Sequence, residues 1–349
     1  MSEDPSSTPP SPIPVDAGTR LSVTYSFHPS MDPSVSDKIV VVHHGILHTR
    51  EHFLDFIKAL NAEGFHVAMI DQQSQYAPYR ERIGLGCYAT GMAAACRQIE
   101  EEQGKSIGGF VYHSMGAAIG EKMQARRENE ELRSPTVFMT PIPVLGSWPI
   151  FLRFLVSRPL DLFQAISKKS VLSLADREAD VKKLFLDGEA TEDVVKECRN
   201  YLTHSPFYAF LQLTFRFLGF FLFRHNQQRN MLVTSDTDHI FASWEYCLTR
   251  WRYLLRKKRD DGREWLTVKK MRGGHDIFLA HPKETAVLVA SFLCDAWGIP
   301  KPSNVARFDK PHSGPPNGPP NSGYPIPRGP TRPSLQDAVS PFKDKTRES

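Results

Sequence analysis

Cysteine is scarce and unpaired: five residues, Cys87, Cys96, Cys198, Cys247 and Cys294, are scattered over 349 positions with no Cys-x-x-Cys pair. That odd, dispersed set excludes a disulfide frame and a thiolate zinc site, and suits reduced thiols in a cytoplasmic protein. Long uncharged apolar runs are missing too. The nearest approach, Pro206 to Phe223, holds seven phenylalanines but carries Arg216 near its middle, with Gln212 and Thr214 interrupting it. A membrane span needs about 20 largely uncharged residues, so this piece is expected to be a helix packed on protein. No glycine-rich phosphate loop follows a strand-like run and no His/Cys/Asp cluster has metal-ligand spacing, so no cofactor and no metal are expected. Charge of one sign is not in excess, at net +4. The basic runs Arg126-Arg127 and Arg256-Lys257-Lys258-Arg259 lack the interleaved aromatics of a nucleic-acid surface and read as solvated helix and loop faces.

The two ends also exclude. Met1 to Val15 is Ser/Pro-rich with Glu3 and Asp4, without the positive start or apolar centre of a signal peptide. From about Pro302 the chain is dense in Pro, Gly, Asn and Ser and cannot bury apolar surface. Residues 1–20 and 301–349 are therefore expected to be disordered.

Between the ends an alternating rhythm is present. Leu21 to Phe27 alternates apolar and polar residues, the mark of a half-buried edge strand. Ile39 to Val42 is a continuous β-branched run, as in a strand buried on both faces. Glu51 to Leu60 sets Phe53, Leu54, Phe56, Ile57 and Leu60 on one helical stripe. Strand and helix patterns continue to alternate through Met139, which predicts a mostly parallel, doubly wound α/β sheet. The rhythm breaks over residues 141–224, where helical patterns, a charged segment from Asp176 to Glu197, and the apolar pieces Pro149–Phe163 and Pro206–Phe223 follow one another.

The chemistry concentrates at Val111-Tyr112-His113-Ser114-Met115-Gly116, between a strand-like and a helix-like run. Serine is a favoured helix N-cap, but at a tight strand-to-helix corner it is also lifted above the sheet beside convergent backbone N–H groups. Two partners follow in order. Asp238 lies in the polar loop after Met231-Leu232-Val233-Thr234, and His275 ends the segment after Leu266-Thr267-Val268-Lys269-Lys270. A serine is a weak nucleophile until an imidazole takes its proton and a carboxylate fixes the imidazole's tautomer. Asp236, two residues from Asp238, is the competing carboxylate, and one of the two is expected to cap a turn.

Four segments in order resemble the serine α/β-hydrolase family, from about Leu21 to Trp297. His43-His44-Gly45-Ile46 resembles its His-Gly loop, and His113-Ser114-Met115-Gly116 its nucleophile elbow. Ser235-Asp236-Thr237-Asp238-His239-Ile240-Phe241 resembles the acid loop, and Gly274-His275-Asp276 with His281-Pro282-Lys283-Glu284 the histidine loop. The resemblance implies an α/β-hydrolase core over 21–140 and 225–300 and a helical cap inserted over 141–224. It implies Ser114 as nucleophile, Asp238 rather than Asp236 as acid and His275 as base, with the N–H groups of Ile46 and Met115 as oxyanion hole. His43, His44, His113 and Asp71 are read as scaffolding. The implied activity is hydrolysis of a carboxylic ester, thioester or lactone with an apolar acyl or ring portion, the partner being a small or lipid-like acyl substrate, with weak membrane-surface contact conceivable. Acyl transfer or condensation on the same fold, and a non-catalytic binding protein, are the rival readings. One departure stands out: Tyr112 occupies a position where the family's elbow usually has glycine.

Overall fold

The computed structural model describes residues 13–14, 22–30, 37–73, 83–205, 207–216, 228–254 and 265–301. The expected disordered ends, the run Arg256–Arg259, and Phe217 to Phe223 of the second apolar piece lie outside the described residues. All those described fall within one unit, Met1–Lys310.

Eight strands form one sheet: β1 (Ile13–Pro14), β2 (Ser22–His28), β3 (Ile39–His43), β4 (His66–Gln73), β5 (Ile107–His113), β6 (Thr136–Met139), β7 (Asn230–Ser235) and β8 (Leu266–Met271). Their order is β1-β2-β4-β3-β5-β6-β7-β8. From β4 to β8 every pairing is parallel, while β2 runs antiparallel to β4 and β1 antiparallel to β2. The expected doubly wound sheet is present. The alternating strand sits one place in from the edge, because the two residues of β1 cover it.

Alternation along each buried strand divides the core between the two faces. Ile39, Val41, Phe110, Tyr112, Phe138 and Leu232 join one apolar cluster. Val40, Val42, Val111, Val137, Met139, Met231 and Val233 join the other. The first face is covered by α2 (Leu85–Gln103), α3 (Met115–Gln124) and α9 (Ser243–Leu254), the second by α1 (Leu54–Ala62) and α11 (Pro282–Trp297). A 3-10 turn, Arg50–Phe53, precedes α1. Phe53, Phe56, Ile57 and Leu60 are buried at 0–1% exposure, whereas Leu54 is 37% exposed. The i, i+3, i+4, i+7 spacing from Phe53 defines the stripe, and Leu54 falls one residue off it. Each fully buried side chain of this kind contributes about 1.5–3 kcal/mol.

Between β6 and β7 the chain leaves the sheet and forms α4 (Trp148–Ser157), α5 (Pro159–Lys168), α6 (Glu178–Phe185), α7 (Glu192–Tyr201) and α8 (Phe207–Thr214). A third apolar cluster joins this insertion to the core through Leu47, Val181, Phe185, Val195 and Cys198. Arg216 is buried; its guanidinium pairs with Glu121 on α3 and also donates to the Ile142 carbonyl at 3.3 Å. The charge inside the apolar piece thus ties the insertion to the core. No helix among the described residues is long and apolar enough to cross a membrane. Short α10 (Ile277–Ala280) precedes α11.

Candidate active site

Ligands of open parallel sheets bind beyond the strands' carboxyl ends, and the four sequence segments all emerge there. The β5–α3 corner places Ser114 at φ 50°, ψ −115°, a left-handed conformation that costs a non-glycine residue about 1–3 kcal/mol. Its N–H donates to Met139 O at 3.1 Å, and Ile142 N–H donates back to Ser114 O at 3.4 Å. Met115 opens α3, so its N–H is one of those that no helical carbonyl can reach.

The loop after β3 is pressed against this corner. A Cβ on Gly45 would lie 2.8 Å from Ser114 Cβ, and one on Gly116 would lie 2.8 Å from the His44 carbonyl. Only glycine at both places allows this approach, which sets Ile46 beside the serine. Leu47 follows in the left-handed region at φ 67°. Its N–H donates to Ser205 Oγ at 2.8 Å and its carbonyl accepts from Thr203 N–H at 2.8 Å, so the segment after α7 fixes the turn.

Asp238 and His275 meet. His275 Nδ1–H donates to Asp238 Oδ2 at 2.9 Å, with both side chains 1% exposed. Asp238 also accepts from the N–H groups of Ile240 (2.8 Å) and Phe241 (3.0 Å) and from Tyr246 Oη–H (2.5 Å). Burial alone would raise its pKa, but the His275 charge and these donors hold it below the usual carboxylate range. Burial would likewise lower His275, yet the charges of Asp238 and Asp276 and the bond to Asp238 leave it above the ordinary histidine value. Its Nε2 has no hydrogen-bond partner among the described residues. Asp236 is exposed on the loop surface, and its backbone N–H donates to Met271 O.

Ser114, Ile46 and His275 line one cavity of about 80 Å³, room for more than a single water. The rest of its wall is almost wholly apolar. Ile150 and Phe154 of α4, Val171 and Leu174, Leu184 and Phe185 of α6, and Phe210 and Leu213 of α8 close it from the insertion side. Of the first apolar piece only part faces this cavity; Val156, Leu160 and Phe163 are 84%, 82% and 70% exposed.

Tyr112 is fully buried, and its room comes from α3. A Cβ on Gly120 would lie 2.2–2.5 Å from three carbons of the Tyr112 ring. The residue that departs from the family pattern at the elbow is matched by a glycine on the helix it faces. His43 Nδ1–H donates to the His44 carbonyl at 2.9 Å, and its Nε2 meets the Gln72 side-chain amide at 3.1 Å; burial lowers its pKa to about 3. His44 Nε2 lies 3.2 Å from Asp71. All three sit behind the loop rather than in the cavity wall.

Several contacts at the site carried no signal in the sequence. Tyr246 and Thr140 support the triad candidates, Thr140 Oγ1–H donating to the His275 carbonyl at 2.8 Å. His48 from the loop after β3, His113 at the end of β5 and Asp276 from the loop after β8 gather with ligand atoms within 4.8 Å of one another, all buried. They are the group among the described residues that could hold a metal ion. Two ligand atoms at about 2.1 Å from a tetrahedral ion lie roughly 3.4 Å apart, whereas His48 Nε2 and Asp276 Oδ2 are separated by 2.7 Å, a hydrogen-bond distance. The five cysteines are all free thiols.

With this geometry in view, comparison with known proteins identifies the class. The family model described as the alpha/beta hydrolase family matches residues 39–288, and the chain belongs to that family; it is an α/β-hydrolase enzyme. No curated protein sequence matches it. Among solved structures it resembles a thermophilic esterase from Thermogutta terrifontis, with TM-score 0.56 and 14% identity over 79% of this chain and 94% of that one. A monoacylglycerol lipase from Paleococcus ferrophilus superposes with TM-score 0.53 and 15% identity over 78% and 99% of the two chains. MenH from S. aureus does so with TM-score 0.53 and 14% identity over 78% and 98%. At these identities the likeness is one of fold.

Proposed function

We propose that this α/β-hydrolase is a serine hydrolase that cleaves a carboxylic ester, thioester or lactone whose acyl or ring portion is apolar. The observation that carries the reading is the buried Asp238–His275 pair, with His275 Nε2 unpartnered in the same apolar cavity as Ser114 on its strained corner. Ser114 Oγ attacks the carbonyl carbon while His275 Nε2 takes its proton. Asp238, charged and held by four donors, keeps the Nδ1–H tautomer and stabilises the imidazolium. The N–H groups of Ile46 and Met115 receive the negative charge on the carbonyl oxygen, each worth about 3 kcal/mol of barrier. His275 then protonates the leaving group, and water returns the acyl group by the same steps.

Residues 141–224 act in this reading as a cap, with Ile150, Phe154, Phe210 and Leu213 forming the acyl wall. The exposed apolar side chains of α4 and α5 suit brief contact with a lipid surface, which matches a lipid-like acyl substrate. The free thiols fit a cytoplasmic setting. Hydrolysis is favoured over a non-catalytic role because Gly120 relieves the crowding that Tyr112 would otherwise impose on the elbow.

A fluorophosphonate probe, together with a panel of acyl esters, thioesters and lactones, tests the assignment. Wild type should take up the probe and turn over part of the panel. Ser114→Ala and His275→Ala should each lose nearly all of both while keeping the wild-type melting temperature, since triad members act as a unit. Labelling that persists in Ser114→Ala would refute the nucleophile.

A further inference from the structure

One carboxylate joins the loops that carry the oxyanion donor, the nucleophile and the base. Asp276 follows His275 directly, is 0% exposed, and faces His48 at 2.7 Å and His113 at 3.3 Å. His48 lies two residues after Ile46, and His113 immediately precedes Ser114. The Asp276 backbone N–H donates to Phe185 O at 2.8 Å, fastening the same point to α6.

The protons on His48 follow from its partners. Its Nδ1 lies 2.7 Å from the Ile46 carbonyl and its Nε2 lies 2.7 Å from Asp276 Oδ2. A carbonyl and an ionised carboxylate only accept, so each ring nitrogen must donate. The neighbouring His52 is the contrast: its Nδ1 accepts from Thr49 N–H at 3.1 Å, which leaves only Nε2 to donate, to Cys198 O at 3.0 Å. His52 is satisfied as a neutral ring; His48 is satisfied only as a cation.

We propose that His48 and Asp276 form a buried imidazolium–carboxylate pair that positions the oxyanion loop against Ser114 and sets the charge felt by His275. The proposal rests on the serine-hydrolase reading for its catalytic meaning. His48 holds the Ile46 carbonyl, and with it the turn in which Leu47 takes a left-handed conformation. Asp276 supplies negative charge beside His275, and His48 offsets part of it. Burial would raise the Asp276 carboxyl, but the charge of His48 and hydrogen bonds from His113 and His48 hold it well below the usual range. The other ionisable groups facing this cluster are Asp238 on the β7 loop, His113 on β5, His52 before α1 and Cys198 on α7. Burial holds His113 down to about 4 and His52 to about 3, and pushes the Cys198 thiol up, so these three are neutral near pH 7.

The two members of the pair should act in opposite directions on His275, which a merely structural role would not produce. The test measures the pH dependence of fluorophosphonate labelling at Ser114 in Asp276→Asn and His48→Gln. Both variants should label on the order of tenfold to a hundredfold more slowly, as expected when a reacting group shifts slightly. In Asp276→Asn the acid limb should move to lower pH, because His275 loses a stabilising negative charge. In His48→Gln it should move to higher pH, because Asp276 is no longer offset. Acid limbs that stay in place, or move together, would overturn the proposal.

Histidine ¹⁵N spectra of wild-type protein test the charge without any variant having to fold. Two protonated ring nitrogens on His48 at neutral pH support the pair; one protonated nitrogen, or a stoichiometric metal ion between His48 and Asp276, overturns it. If wild type takes no label at Ser114, the hydrolase reading fails, while the His48 proton count still decides the pair.

Discussion

Exchanging the large and small partners behind the β5–α3 corner should reverse the sign of a mutation. Tyr112 is 0% exposed and stacks on Phe110 with ring centroids 5.3 Å apart, with Phe138 at 6.0 Å. A methyl on Gly120 would sit 2.2, 2.4 and 2.5 Å from its ring carbons, where carbons in contact want about 3.5–4.0 Å. The ring would have to retreat by more than an ångström into neighbours that leave it no space. Gly120→Ala should therefore cost about 3 kcal/mol, the upper part of the overpacking range. Tyr112→Gly should cost about 3–5 kcal/mol for the lost ring, and up to about 1 more for glycine in a strand. In the Tyr112→Gly background the clash is gone, and alanine is preferred to glycine within a helix by about 1 kcal/mol. Gly120→Ala then becomes stabilising, and the cycle yields an interaction energy of roughly 3–4 kcal/mol. Urea unfolding of the four proteins, with m-values checked for constancy, reads this directly. If Gly120→Ala costs the same with and without the tyrosine, the packing argument is wrong. The same variants decide whether Tyr112 strains the elbow: as fitted packing, its loss should slow labelling of Ser114, and faster labelling would mean that the ring hinders the site.

Asp238→Asn should cut turnover by orders of magnitude and Asp236→Asn should leave it intact; the reverse pattern would move the acid to Asp236. Because the His275 pKa is raised and only neutral imidazole acts as base, turnover should fall on acidification with a midpoint above the ordinary value of about 6.5; a midpoint below it would contradict the Asp238 contact. The same pair should leave a mark on stability. The Asp238 contribution exists above about 3.9 and is lost as pH falls through its lowered folded value, while that of His275 exists below about 6.5 and is lost as pH rises through its raised folded value. Melting temperatures of wild type and Asp238→Asn should differ most between about pH 4 and 6.5. Phe154→Ala and Phe210→Ala should reduce turnover of long acyl esters more than of acetyl esters, by about 0.8 kcal/mol of barrier for each substrate methylene that the shortened wall leaves uncovered. Phe215→Ala, at a side chain 53% exposed and outside the cavity wall, should leave that ratio unchanged.

These experiments divide between residues whose roles could be read along the chain and residues whose roles arise from folding. The sheet was legible because its signals are local: the β-branched run at Ile39–Val42 needs burial on both faces, and the alternation of Ser22–His28 fits a strand with one wetter side. That Ser114, Asp238 and His275 come together was legible for a related reason. Each is anchored to the end of one strand, so chain order and strand context suffice to bring the three loops to one edge of the sheet. Leu54 was misplaced on the buried stripe because it lies one position past Phe53, off the i, i+3, i+4, i+7 set that faces the sheet. The apolar piece Pro206–Phe223 was legible by composition alone, and composition does not say that Phe210 and Leu213 face the cavity while Phe215 stays outside it.

The support around the three candidate residues was not legible, and the reason is geometric. Tyr246 reaches Asp238 across a turn and the start of α9, and Gly120 matters only because Tyr112 points at it; neither relation leaves a periodicity or a spacing. The His48–Asp276 pair spans 228 positions, and its members look ordinary in the chain: one histidine in a polar loop, one aspartate that could be a helix cap. Its charge state emerges only when both ring nitrogens of His48 are seen to face acceptors. A sequence can place a nucleophile, a base and an acid because each must sit at a strand end. What tunes them is the set of contacts between those ends, and here that set converges on a single buried carboxylate.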